Sequence, residues 1–214
     1  MRNFVIGTVL STSLLLSACS IGTSAEQQLS DSLTKVYDEE QGYRDAQAKL
    51  AELEKKEQLT FNQTMELTQN QKEEVSVKVE ELKSSLAKRL TLLKEENDSI
   101  KNAQESLSTL DKIVEDAKDD QIKSSVSDLQ GVMDARYEAH DQVSAEYQKL
   151  TDLQSALYEM LTKEETQQAE LQKQVVKVNE QNEVVQSAIN AFNDATKQLN
   201  EKKESVYDSL QEEK

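Results

Sequence analysis

A chain of 214 residues with no proline, no tryptophan, one histidine, one cysteine and four glycines lacks most of the residues proteins use to turn, to crosslink and to react. Without proline the commonest helix breaker is gone, so long helices are expected. Scarce glycine removes tight turns and any glycine-rich phosphate cradle. A single cysteine excludes an intramolecular disulfide, so stability must come from packing. Zinc sites and the paired Glu-x-x-His motifs of di-iron bundles both need more than one histidine. Enzymatic arrangements fail on the same counts. A Cys–His dyad would need the lone thiol at position 19, and a Ser–His–Asp triad would rest on His140, which lies on an apolar helical stripe between Met133 and Tyr147. His140 therefore reads as a seam residue. A glycosidase cleft calls for sugar-stacking aromatics, and aromatic residues make up 4% of the chain. The acidic cluster Asp116, Asp119 and Asp120 lacks the alternating oxygens and turn glycine of a calcium loop and reads as a solvated helix end. The expectation is a protein with no catalytic residues, no cofactor and no metal.

Positive charge is also scarce: 25 basic against 41 acidic residues give a net charge of −16. This excess argues against nucleic acid as a partner and against broad adhesion to anionic lipid headgroups. The basic pairs Lys88 with Arg89 and Lys202 with Lys203 are flanked by acids and read as solvated helix faces.

What is present begins at the N-terminus, where MRNFVIGTVLSTSLLLSAC places Arg2 before an apolar stretch from Phe4 to Leu16. At ~1.5 Å per residue this stretch is shorter than the ~30 Å hydrocarbon core, so it reads as a signal peptide rather than a permanent membrane span. It ends in Leu16-Ser17-Ala18-Cys19, which resembles the bacterial lipobox. The chemistry explains the order. The Cys19 thiol is the nucleophile that takes a diacylglyceryl group, and Ser17 and Ala18, with Leu16 before them, form the small-residue site that signal peptidase II recognises before cutting. Residues 1–18 are thus expected to be a lipoprotein signal peptide, 19–28 a lipidated N-terminus and flexible tether, and 29–214 a helical body.

In that body apolar residues recur at alternating steps of three and four, the spacing of a helix that buries one stripe. One run passes through Val79, Leu82, Leu86, Leu93, Ile100, Ala103, Leu107 and Leu110, with Arg89 and Glu96 at steps where apolar residues belong. A second passes through Val126, Leu129, Met133, His140, Val143, Tyr147, Leu150 and Leu157, with Arg136 between. A third runs from Leu171 through Val185, Ile189, Phe192 and Leu199 to Val206 and Leu210, and a weaker one holds Leu29, Val36, Tyr43, Ala46, Leu50 and Leu53. Gaps in the stripe place breaks in KEQLTFNQT (56–64), AKDDQIKSS (117–125) and LTKEE (161–165), where Thr162 and Glu165 have capping-box spacing. The result is four helices over roughly 27–58, 62–118, 121–160 and 163–212, or three if one break is only a bend. Short connections make consecutive helices antiparallel, so the fold class is all-α: an elongated up-and-down helical bundle with coiled-coil-like packing.

A lipobox cysteine, a short tether and a proline-free helical body ending in INAFNDATKQLNEKKESVYDSL (Ile189 to Leu210) together resemble the YkyA-like family of cell-wall-binding lipoproteins of Gram-positive bacteria. The resemblance spans essentially the whole mature chain. It implies an up-and-down bundle on the extracytoplasmic face of the cell membrane, held by lipid at Cys19, with cell-wall polymer as the partner. No binding residue beyond Cys19 carries over. The competing expectation is a lipid-tethered scaffold that docks an envelope protein.

Overall fold

The computed structural model describes residues 25–211, and every regular element among them is helical. The elements are α1 (Ala25–Glu39), α2 (Gln41–Glu66), a 3-10 turn (Gln69–Gln71), α3 (Lys72–Glu105), α4 (Ser108–Asp116), α5 (Asp120–Thr162) and α6 (Gln168–Gln211). Cys19 and the residues Leu16, Ser17 and Ala18 before it lie outside the described residues. Ala25–Gln28, expected in the tether, belong to α1.

The chain divides into two compact units, the first built from five helical segments and the second from four. The first takes residues up to Gly42, Asp98–Asp141 and residues from Asn190; the second takes Tyr43–Asn97 and Gln142–Ile189. In the second unit, α2 meets α3 through Gln63 with Lys78, Glu57 with Arg89 and Gln47 with Glu96, so positions fall on one helix as they rise on the other. The same descending order joins α3 to α5 (Arg89 with Gln154, Asn97 with Ser144) and α5 to α6 (Leu153 with Gln174, Glu146 with Gln181). Each neighbouring pair is antiparallel, which is the expected up-and-down order.

Each unit encloses its own apolar seam. Leu29, Leu33, Leu110, Leu129, Met133 and Leu199 are buried in the first unit, and Leu50, Leu82, Leu86, Leu150, Leu157 and Val185 in the second. On α6 the buried positions 178, 185, 189, 192, 196, 199, 203, 206 and 210 keep the three-four spacing, and Thr196 and Lys203 hold two of them.

The helix boundaries correct three expectations. First, residues 56–64 do not form a break: α2 continues to Glu66, and the hydroxyls of Thr60 and Thr64 donate to the carbonyls of Lys56 and Thr60 within it. The apolar stripe stops there because the seam-facing positions after Leu50 are taken by Glu57 and Thr64, both buried. The chain reverses later, where Gln71 Oε1 accepts from the Thr68 amide at 3.1 Å and from the Thr68 hydroxyl at 3.0 Å.

Second, Thr162 does not cap the following helix. It is the last residue of α5, its hydroxyl donates to the Glu159 carbonyl at 3.1 Å, and α6 starts only at Gln168. Third, the helix expected over 62–118 is interrupted at Ser106–Leu107. There Leu107 and Leu110 donate to carbonyls three residues back, while the Ser108 and Thr109 hydroxyls cover the carbonyls of Glu105 and Ser106. Consecutive hydroxyl side chains compete for the backbone and tighten the turn. The break near 117–125 does lie at Ala117–Asp119. Asp119 Oδ1 accepts from the amides of Gln121 and Ile122, so this member of the acidic cluster is the N-cap of α5.

Candidate functional site

The charged residues that the periodicity places on apolar steps are all buried: Arg89 and Arg136 are 2% exposed, Glu96 and His140 1%. Each arginine is the hub of a polar cluster in the middle of its unit.

In the first unit Arg136, on α5, makes a two-pronged contact with Glu40, Nη1 to Oε1 at 2.6 Å and Nη2 to Oε2 at 3.2 Å. Its Nε donates to the Thr196 hydroxyl, which in turn donates to the Phe192 carbonyl. Tyr137 donates its phenol to Glu40 Oε1 at 3.1 Å. The guanidinium also lies 4.8 Å from the centre of the Phe192 ring, against which His140 packs edge-on at 5.6 Å. Glu40 reaches this place from the single-residue discontinuity between α1 and α2, where the Ser99 hydroxyl covers the Glu39 carbonyl. Both carboxylate oxygens of Glu40 have donors. Lys203 is buried nearby: desolvation pushes its pKa down, Glu40 pulls it up and Arg136 pushes it down again. The pair Lys202–Lys203 is therefore not a solvated basic spot, since Lys203 faces the seam and Lys202 pairs with Asp128 at 2.8 Å.

The second unit repeats the theme with one difference. Arg89, on α3, donates to Glu57 Oε1 at 2.7 Å, to Gln154 Oε1 at 3.0 Å and to the Tyr147 hydroxyl at 2.7 Å. The Tyr147 hydroxyl in turn donates to Glu54 Oε1 at 2.6 Å, and Tyr158 donates to Glu57 Oε1 at 2.6 Å. Glu57 Oε1 thus accepts two bonds, while the buried Oε2 accepts none. A buried acceptor without a donor costs about 1–3 kcal/mol. The Lys88–Arg89 pair dissolves as a basic patch for the same reason as Lys202–Lys203: Arg89 points inward and only Lys88 is exposed.

Burial drives the phenols of Tyr137, Tyr147 and Tyr158 to pKa values well above the ordinary tyrosine value. Glu40 and Glu57 push Tyr137 and Tyr158 further up; at Tyr147 the upward push of Glu54 is opposed by Arg89. Such sealed and neutral phenols position their carboxylates.

Glu57 is also where the interior meets the surface. It lines a groove of about 680 Å³ between α2 and α3. Lys56, Thr60 and Leu53 form one wall; Ser76, Val77, Glu80, Glu81, Ser84, Ser85 and Lys88 form the other. The Ser85 hydroxyl, like Glu57 Oε2, is buried without a partner. The exposed large apolar side chains among the described residues, Leu59, Met65, Val77, Val176 and Val184, all belong to this same unit. The sequence pointed to the two arginines but not to Glu40, Glu57 or the groove. The signal that could have found Glu57 was the stripe itself, continued at the same spacing through a carboxylate.

Comparison with known proteins fits this picture. The YkyA family, described as "Putative cell-wall binding lipoprotein", matches residues 24–209. A Bacillus subtilis (strain 168) protein, "Uncharacterized lipoprotein YkyA", is 28% identical over 204 residues, covering 95% of this chain and 91% of that one. A solved structure, a conserved protein of unknown function from Staphylococcus aureus, superimposes with a TM-score of 0.73 at 18% identity over 82% of this chain and 88% of its own, and so shares the helical fold. With the family match running through both helical units, this chain belongs to the YkyA family of lipoproteins.

Proposed function

We propose that this protein is a non-enzymatic lipoprotein of the cell envelope, held on the extracytoplasmic face of the membrane by acyl chains on Cys19 and binding cell-wall polymer with its helical body. The observation that carries this reading is the match to the YkyA family over residues 24–209, whose description joins a lipoprotein to cell-wall binding. Leu16-Ser17-Ala18-Cys19 supplies the lipidation sequence, with residues 1–18 as the signal peptide. No helix among the described residues is long and apolar enough to cross a membrane. Two acyl chains at ~0.8 kcal/mol per buried CH₂ anchor stably where one would be marginal. Binding rather than chemistry is supported by the two polar clusters, whose arginines are buried and fully engaged.

Cys19→Ala tests the anchor. The variant is expected to accumulate as unprocessed precursor or to be shed into the medium, and a normally processed, membrane-retained variant rejects lipidation at this residue. Sedimentation with insoluble purified walls tests the binding. A chain of net charge −16 meeting an anionic polymer needs either divalent cations bridging carboxylate and phosphate or a local site indifferent to bulk charge. Sedimentation that rises with Mg²⁺ indicates the first; sedimentation that ignores Mg²⁺ and is competed by soluble wall fragments indicates the second. A protein that stays in the supernatant under all these conditions is not a wall binder. The second reading, a tethered scaffold for an envelope protein, predicts saturable capture of a membrane-extract protein instead.

A further inference from the structure

We infer that the groove between α2 and α3 binds a short peptide carrying a free primary amine, with the amine held at Glu57. The contrast between the two arginine clusters points there. In the first unit both oxygens of Glu40 are satisfied from within; in the second, Glu57 has one oxygen doubly occupied and the other empty, and Glu57 is the residue that lines a groove. A carboxylate oxygen beside Arg89 is an acceptor only, so what is missing is a donor. The Ser85 hydroxyl, also unpartnered, lines the same groove and gives the donor a second contact.

The lining selects among donors. A divalent metal would lack a ligand set, since among the described residues no group of three His, Cys, Asp or Glu side chains could hold one. A saccharide would find no aromatic ring to stack on, since none lines the groove. An amine-bearing peptide finds every element it needs. Its ammonium carries three donors for Glu57 Oε2 and Ser85 Oγ, its carboxylates face the exposed Lys56 and Lys88, and its small apolar side chains meet Leu53 and Val77. Mixed charge along the walls suits a zwitterionic ligand better than a polyanion. The inference deepens the wall-binding reading and rests on it for the source of the peptide, which is the amine-bearing peptide part of the wall polymer.

Isothermal titration of the full chain in detergent micelles, with the synthetic tetrapeptide Ala-Glu-Lys-Ala as probe, tests it. Saturable binding is expected, weakened at least tenfold by acetylating both amines of the peptide and by Glu57→Gln. Because Glu57 also pairs with Arg89, Ser84→Trp provides a second variant: Ser84 is exposed, lines the groove and takes no part in the ion cluster, so a bulky ring there blocks the groove and leaves the cluster intact. It is expected to abolish peptide binding without changing the circular dichroism. Equal binding of the acetylated peptide, or full binding by Ser84→Trp, overturns the inference, as does binding of tri-N-acetylglucosamine in place of the peptide. Wall sedimentation separates the two claims. If Ser84→Trp still sediments with walls like the parent, the groove assignment falls and wall binding stands. If the parent binds the peptide through the groove but never sediments, wall binding falls and the groove stands.

Discussion

Arg136→Met lowers the stability of the folded chain by about 3–5 kcal/mol, because it leaves the buried Glu40 carboxyl without its guanidinium partner and with only the Lys203 amine nearby. That is a large part of the ~5–15 kcal/mol that holds a domain folded. The attraction between the two charges is not the reason. Desolvating both costs nearly as much as their contact returns, so the penalty lies in the orphaned carboxylate. The double variant Arg136→Met, Glu40→Leu is therefore expected to recover most of the loss, since it removes the charge along with its partner. Urea unfolding followed by circular dichroism decides the matter: a single variant within about 0.5 kcal/mol of the parent would show that the cluster is solvated and the argument mistaken. The equivalent change at Arg89 is expected to cost as much, because Glu57 is likewise buried and loses its counterion. Glu54, one of its two carboxylates, has 27% of its side chain exposed and can turn to water.

Alkali is expected to unfold the protein steeply above about pH 10. In the unfolded chain the phenols of Tyr137, Tyr147 and Tyr158 ionise near ~10. In the folded chain burial first, and the neighbouring carboxylates Glu40, Glu54 and Glu57 after it, hold them neutral, with Arg89 opposing in part at Tyr147 and Tyr158. Above that pH the native state binds more protons than the unfolded one. The stabilisation is complete below the unfolded value and is lost as pH rises toward the folded values, at about 1.4 kcal/mol per pH unit for each phenol. Acting together the three give a slope of about 4 kcal/mol per unit. Lys203 works in the other direction. Its amine is depressed by burial, so the cost of keeping it charged fades as pH approaches ~10.4, but one amine cannot offset three phenols. Tyrosinate absorbance and helical circular dichroism should change together, and Tyr137→Phe with Tyr158→Phe should make the transition shallower. Ionisation of all the tyrosines while the helices persist would contradict the burial argument.

Helical structure, the spacing of the seam and the seam position of His140 are legible because they are local properties, and so is the register that puts Arg89, Glu96 and Arg136 on apolar steps, although Arg89 beside Lys88 also reads as part of a solvated face. A residue seven places from one leucine and seven from the next shares their face whatever it is, and four such faces without proline imply a bundle. At 56–64 the local pattern misleads, because there the apolar run ends and the helix does not. Glu57 and Thr64 keep the heptad spacing from Leu50, so the helix continues while its seam turns polar. Lys203 differs from its expectation for a related reason: beside Lys202 in a charged stretch it looks solvated, but it sits four residues from Leu199 and three from Val206, on the buried face.

The sequence by itself determined that this chain is all-helical and that two arginines fall on steps of the apolar stripe, since residue identity and a period of three and four residues suffice for both. Only the tertiary structure decided which of 41 acidic residues neutralise those arginines. Glu40 lies 96 positions from Arg136 and Glu57 32 from Arg89, so each pairing depends on the register between helices, which no local pattern encodes. The groove has the same origin. One carboxylate oxygen is left without a donor at a groove lined by α2 and α3, and that groove exists only once the helices are packed.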